Sequence, residues 1–137
     1  MPKPGKPNTK KTDRENSDLD LEIGFLSGLL RRDPEYVDAL QLLGDDLTKR
    51  GRYAEGLDVD QKLAQLQPDN ALVQYNLACS YALTKRFEEA HLSLNRALDL
   101  GYTDFKWLSR DPDLANFRSH PLYENIQSKV RRLRGSK

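Results

Sequence analysis

Residues 35–68, EYVDALQLLGDDLTKRGRYAEGLDVDQKLAQLQP, and residues 69–101, DNALVQYNLACSYALTKRFEEAHLSLNRALDLG, decide the fold between them. The two stretches are copies of one pattern. Leu40, Leu43, Gly44 and Leu47 of the first align with Gln74, Leu77, Ala78 and Tyr81 of the second, each 34 residues on. The breaks take the same step, from Asp33-Pro34 to Gln67-Pro68 to Gly101-Tyr102. Within each copy the apolar positions recur at helical spacing in two runs, parted at Gly51 in the first copy and Lys85 in the second. A helix pair of this size cannot bury its apolar face alone, so copies stack and leave a groove.

The residues resemble the tetratricopeptide repeat (TPR) signature, W-x2-L-G-x2-Y, then A-x3-F, then P. The first copy gives Leu40-x2-Leu43-Gly44-x2-Leu47, Gly56-x3-Asp60 and Pro68. The second gives Gln74-x2-Leu77-Ala78-x2-Tyr81 and Ala90-x3-Leu94, with Gly101-Tyr102 where the proline would fall. Tyr53 and Phe87 match the aromatic three places before the small residue, whereas Gln74 and Asp60 break the pattern. The resemblance implies an all-α, right-handed superhelix of antiparallel helix pairs (an α-α superhelix). It also implies a non-catalytic protein–protein interaction module, an adaptor, scaffold or assembly factor that takes a peptide or partner helix in its concave groove. A self-associating structural unit and a regulatory subunit of an enzyme complex are the alternatives.

Working outward, residues 1–16 hold three prolines, several lysines and no apolar residue after Met1, and are expected to be a disordered basic tail. Ser17-x-x-Asp20 reads as a capping box, followed by Leu19, Ile23, Leu26 and Leu30 at helical spacing. Residues 17–33 are therefore expected to form an N-terminal capping helix, 35–68 the first repeat and 69–101 the second. Helices are expected from about Glu35 to Arg50, Tyr53 to Leu66, Ala71 to Leu83 (capped by Asn70) and Phe87 to Leu100. Lys85 stands where a glycine would relieve the turn. Residues 102–133 read as a degenerate helical cap. Thr103 is expected to cap a short helix, Pro112 to interrupt it and Pro121 to open the last helix. The stretch from Asp111 to Tyr123 resembles a segment that closes bacterial TPR arrays, which implies a bacterial source. Residues 134–137 are expected to be a tail, leaving 17–133 as a single domain.

Composition agrees. The 137 residues carry a charged fraction of 31% and a net charge of +1, unlike the strongly basic balance of a dedicated nucleic-acid binder. One cysteine makes no internal disulfide, and no apolar run approaches the roughly 18 residues of a membrane span. The N-terminus lacks the apolar stretch of a secretory signal, so a cytoplasmic protein is expected. The protein is expected to be a monomer or weak homodimer, with no membrane partner, and nucleic acid is not an expected partner.

No H-E-x-x-H, P-loop, G-x-S-x-G or paired C-x-x-C motif is present, so neither enzymatic activity nor a catalytic residue, cofactor or metal is expected. His91 and His120 lie in different elements and read as exposed polar residues. Cys79 has no cationic neighbour in sequence and reads as a small packed residue. Asp60 falls on a face that should pack against a neighbouring helix; a structural ion pair or an exposed edge is favoured over a binding role. The basic C-terminal end, Lys129, Arg131, Arg132, Arg134 and Lys137, complements a helix dipole.

The resemblance places the groove on the first helix of each repeat. It implies Asp38, Gln41, Asp45 and Thr48 from the first, and Leu72, Tyr75, Asn76 and Cys79 from the second, with Ala82 and Leu83 beside them. Such a face, acidic in one half and apolar in the other, suits a partner carrying basic and apolar residues. Packing of Leu72, Cys79 or Leu83 against the cap is the competing account. Asn76, Lys106 and Arg110 also match by position three residues of the carboxylate clamp with which some TPR domains grip acidic chaperone tails. Gln41 and Asp45 stand where that clamp has a lysine and an asparagine, and a carboxylate at Asp45 repels such a ligand.

Overall fold

The computed structural model describes residues 11–135. Thr12 opens helix α1 (Asp13–Arg32) with a complete capping box: its Oγ1 accepts from the Glu15 N–H at 3.0 Å, and Glu15 Oε1 accepts from the Thr12 N–H at 2.8 Å. The start expected at Ser17 is thus a turn too late. Glu15 reaches back to the cap, while Asp20, the acid of the expected box, pairs instead with Arg50 at 2.9 Å. Residues 13–16 of the expected tail are helical, and residues 1–10 lie outside the described residues.

Four helices of similar length follow as two antiparallel hairpins, α2 (Val37–Lys49) with α3 (Tyr53–Leu66) and α4 (Ala71–Leu83) with α5 (Phe87–Asp99). Asn70 caps α4 by accepting from the Leu72 and Val73 N–H groups at 3.0 and 3.2 Å. One C-terminal turn recurs after α2, α4 and α5. The Arg52 N–H donates to Leu47 O at 2.8 Å, the Arg86 N–H to Tyr81 O at 2.8 Å and the Tyr102 N–H to Ala97 O at 3.0 Å. Each turn needs a left-handed residue, and Gly51 (φ 84°), Lys85 (φ 62°) and Gly101 (φ 104°) supply it. Lys85 keeps the turn in place and bears the strain of a Cβ there.

Beyond Gly101 the chain folds back over the stack. Helix α6 (Phe105–Leu108) is capped by Asp104, which accepts from the Trp107 N–H at 3.1 Å, not by Thr103. Asp111 then caps a 3₁₀ turn at Pro112–Leu114, and α7 (Ala115–Arg118) and α8 (Tyr123–Gly135) complete the described chain. Helix α8 starts two residues after Pro121, because His120 Nδ1 accepts from the Leu122 N–H at 3.1 Å and holds a turn ahead of it. His120 is half-buried against the Phe87 ring, 4.9 Å between centroids, and so is not the exposed residue expected.

Each helix from α1 to α5 packs on the next, α8 packs on α5, and the 3₁₀ turn and α7 pack on α4. The architecture is all-α, an α-α superhelix. Small residues set the spacing within it: Ala78, Ala82, Ala90 and Ala97 are almost wholly buried between α4 and α5. The cap fills the remaining space with Leu114, Phe117 and Ile126, each fully buried. Burying the Phe117 ring alone is worth about 2 kcal/mol over leaving it in water. Lys129 of α8 donates to Asn95 at 2.7 Å and pairs with Asp99, so part of the basic C-terminal end anchors α8 to α5. Among the described residues no helix is long and apolar enough to cross a membrane.

The turn geometry yields a prediction. Lys85→Gly removes a side chain from a left-handed position without touching a packed group. It should raise unfolding stability by about 1 kcal/mol, read as a higher midpoint in urea.

Candidate functional site

Between the two hairpins and the 3₁₀ turn lies a pocket of about 140 Å³, lined by Asp45, Thr48 and Lys49 of α2, Asp60 of α3, Asn76, Cys79 and Ser80 of α4, and Asp113 of the 3₁₀ turn. Residues 45, 48 and 49 and residues 76, 79 and 80 recur at helical spacing, so each first helix offers one turn of its inner face. Asp60 reaches between those two helices. Its Oδ2 accepts from Ser80 Oγ at 2.5 Å, and it is 8% exposed. Gly44 makes this possible: a Cβ there would stand 2.6 Å from Asp60 Oδ1.

The ion pair expected for Asp60 is not made; a hydroxyl is the partner. Burial therefore pushes its carboxyl up to about 7, the Ser80 hydrogen bond offsetting part of the effect and the Asp45 charge adding to it. Asp113 is raised to about 6, chiefly by burial and then by the charge of Asp111. Burial raises Asp45 as well, with Lys49 opposing. Three carboxyls thus face one cavity, and among the described residues Lys49 is the single cation in its lining. The pocket is poised to accept positive charge.

Behind it, Asp111 ties the cap to α4. Its Oδ2 accepts from Tyr75 Oη at 2.6 Å and lies 3.6 Å from Cys79 Sγ, and its Oδ1 accepts from the Asp113 N–H at 2.9 Å. The Tyr75 ring stacks on Tyr102 with centroids 4.2 Å apart. Cys79, Asp111 and Asp113 place three atoms able to ligate a cation within 4.8 Å of one another, and both oxygens of Asp111 are already hydrogen-bonded. Burial holds the Cys79 thiol well above its ordinary value, so it stays protonated and unreactive.

Of the expected groove residues, Asp45, Thr48, Asn76 and Cys79 converge on the pocket. Tyr75 does not line an open groove. It is 3% exposed, because the 3₁₀ turn folds over this end of α4, and packing against the cap is the account that holds for Cys79 too. Asp38 and Leu72 are exposed away from the pocket, and Gln41 is half-buried. Lys106 and Arg110 are exposed and do not line it, which leaves the clamp without its cations there. Lys49, Ser80 and Asp113 were missed. Ser80 stands four residues after Asn76, the spacing that puts both on one face, but nothing in the repeat period signals Asp113.

No family model matches the chain. It is 32% identical over 78 residues to a chloroplastic protein of Arabidopsis thaliana, covering 55% of this chain and 23% of that protein. It is 30% identical over 87 residues to the peroxisomal targeting signal receptor of Komagataella phaffii, covering 62% of this chain and 15% of the receptor. The receptor of Komagataella pastoris gives the same figures. The chain therefore spans less than a quarter of the length of these relatives. The receptor match and the stacked helical hairpins fit a TPR-like fold and a role in protein interaction.

Two predictions follow from this geometry. Tyr75→Phe removes a donor from a buried carboxylate and should cost about 2 kcal/mol in urea unfolding, whereas Leu72→Ala should stay within about 0.5 kcal/mol of wild type. The Asp60 carboxyl titrates near 7 when folded and near its ordinary 3.8 when unfolded. The unfolded chain ionises first, so this residue costs stability progressively as pH rises from about 4 to about 7. Asp60→Asn should accordingly match wild type at pH near 4 and exceed it by about 4 kcal/mol at pH near 8, measured by urea midpoints.

Proposed function

We propose that the chain is a non-catalytic interaction module that takes an extended peptide or partner helix along its concave face, with a lysine or arginine of the partner seated among Asp45, Asp60 and Asp113. The observation that carries this reading is the pocket's balance of three carboxyls against Lys49. Burial holds two of those carboxyls up at about 7 and about 6, and an incoming guanidinium or ammonium would ionise them. Asn76 and Thr48 add neutral hydrogen-bonding groups at the rim, suited to a peptide backbone. The receptor named for a targeting signal, among the relatives, supports recognition of a peptide. The unpaired Asp60 is the cost of such a site in stability, and binding is what offsets it.

The test is co-purification from the native host with tagged full-length protein. Wild type should recover a partner that Asp45→Lys together with Asp113→Lys does not, while circular dichroism shows the same helix content in both. Because the partner's cation competes with protons, recovery should rise between pH about 5.5 and about 8. Equal recovery by wild type and variant would place binding elsewhere on the molecule.

A further inference from the structure

Helix α1 presents a face that nothing among the described residues covers. Phe25 is 65% exposed and Leu21 is 74% exposed, beside a groove of about 410 Å³ lined by Gly24, Phe25, Gly28, Leu29, Arg31 and Arg32. The internal repeat indicates what belongs there. A step of 34 residues from Phe25 leads to Val59, and a second step leads to Ser93. Val59 Cγ1 lies 3.6 Å from where a Cβ on Gly44 of α2 would stand, and Ser93 is 8% exposed in the α4/α5 hairpin. In each hairpin this position is closed off by packing inside the hairpin, where the first helix runs antiparallel to the second. Helix α1 corresponds to a second helix, and its first helix is not among the described residues.

The face also changes sign along its length. Glu15 and Asp18 stand beside Lys11 along its N-terminal part, and Arg31 and Arg32 close its C-terminal end. Among the described residues neither arginine forms an ion pair. With Asp18 towards one end, Phe25 at the centre and Arg32 at the other, the face complements itself when turned end for end. Antiparallel pairing about a two-fold axis at Phe25 sets Asp18 of one copy opposite Arg32 of the other, and Leu21 opposite Leu29. Parallel pairing would set acid on acid. Gly24 has nothing within 4 Å of where its Cβ would stand, and Gly28 meets only the end of the Arg31 side chain at 3.7 Å, so a second backbone can approach closely.

We propose that this face pairs with a second copy of the chain, α1 against α1 in antiparallel register about Phe25, each helix taking the place of a hairpin partner that the described residues do not supply. One helix pair buries a small interface, so association falls at about 10–100 μM.

Sedimentation of the full chain over a concentration series tests this. Wild type should pass from monomer to dimer, and Phe25→Glu should stay monomeric with unchanged circular dichroism. Asp18→Arg and Arg32→Asp should each weaken association about tenfold or more, since each places like charges at both symmetric contacts. Mixing those two variants should restore dimers, because the mixed pair alone opposes unlike charges. A monomer throughout the series, a dimer that survives Phe25→Glu, or a mixture that fails to recover would overturn the proposal. None of these residues touches the concave pocket, so the outcome is independent of its function.

Discussion

The carboxylate of Asp111 is the constraint on which the rest of this structure depends. A buried acid with both oxygens hydrogen-bonded is stable where an unpaired one is not, and Asp111 accepts from the Tyr75 hydroxyl and from the Asp113 N–H. That geometry fixes the 3₁₀ turn over the inner end of α4. The turn in turn delivers Leu114 and Phe117 to the core and sets Asp113 in the lining of the pocket. One polar anchor thus does two jobs: it closes the hydrophobic end of the stack and completes the acidic lining.

Asp60 shows the opposite economy. It has a hydroxyl where a cation would be expected, and burial leaves its proton on until pH near 7. Gly44 tolerates it because a larger residue would meet Asp60 Oδ1 at 2.6 Å. The residue one repeat later, Leu94, is apolar and packs with no exposure at all. Keeping a desolvated carboxyl in the pocket lining therefore sacrifices stability, and sites built to receive charge carry that feature.

The hairpins could be read in the sequence because their signals are local. The 34-residue step, Asn70 as a cap, and Gly51 and Gly101 as left-handed stops all act within a few residues of where they stand. Asp60 was also visible, as a charge in an apolar register, though its partner was not, since Ser80 lies in the next hairpin. The fate of Tyr75 was hidden for a different reason. A first-helix residue of this phase faces the groove unless something lies over it, and what lies over it is a turn 36 residues further on, held by Asp111. Asp113 escaped notice on the same account. Long-range return of a segment outside the period carries no periodic mark. The start of α1 was misplaced because two box patterns follow one another there, Thr12 to Glu15 and Ser17 to Asp20, and the helix forms the earlier one.

The two ends of the stack are finished by different physical means. At the C-terminal end, α7 and α8 turn back and bury Phe117 and Ile126 completely, and Lys129 ties α8 to Asn95 and Asp99. At the other end α1 holds to α2 through Ile23 and Leu26, the Asp20–Arg50 pair, and little else that is buried. Its grip is opposed from within. Asp46 of α2 is 4% exposed with Oδ2 lacking a hydrogen-bond partner, and burial together with the neighbouring Glu22 of α1 pushes its carboxyl up to about 6. A helix that leaves Phe25 in water on one side and crowds two acids on the other is the least satisfied element of the fold. Repeat arrays gain stability from each interface they add, so the N-terminal edge is where this one has most to gain from a further helix.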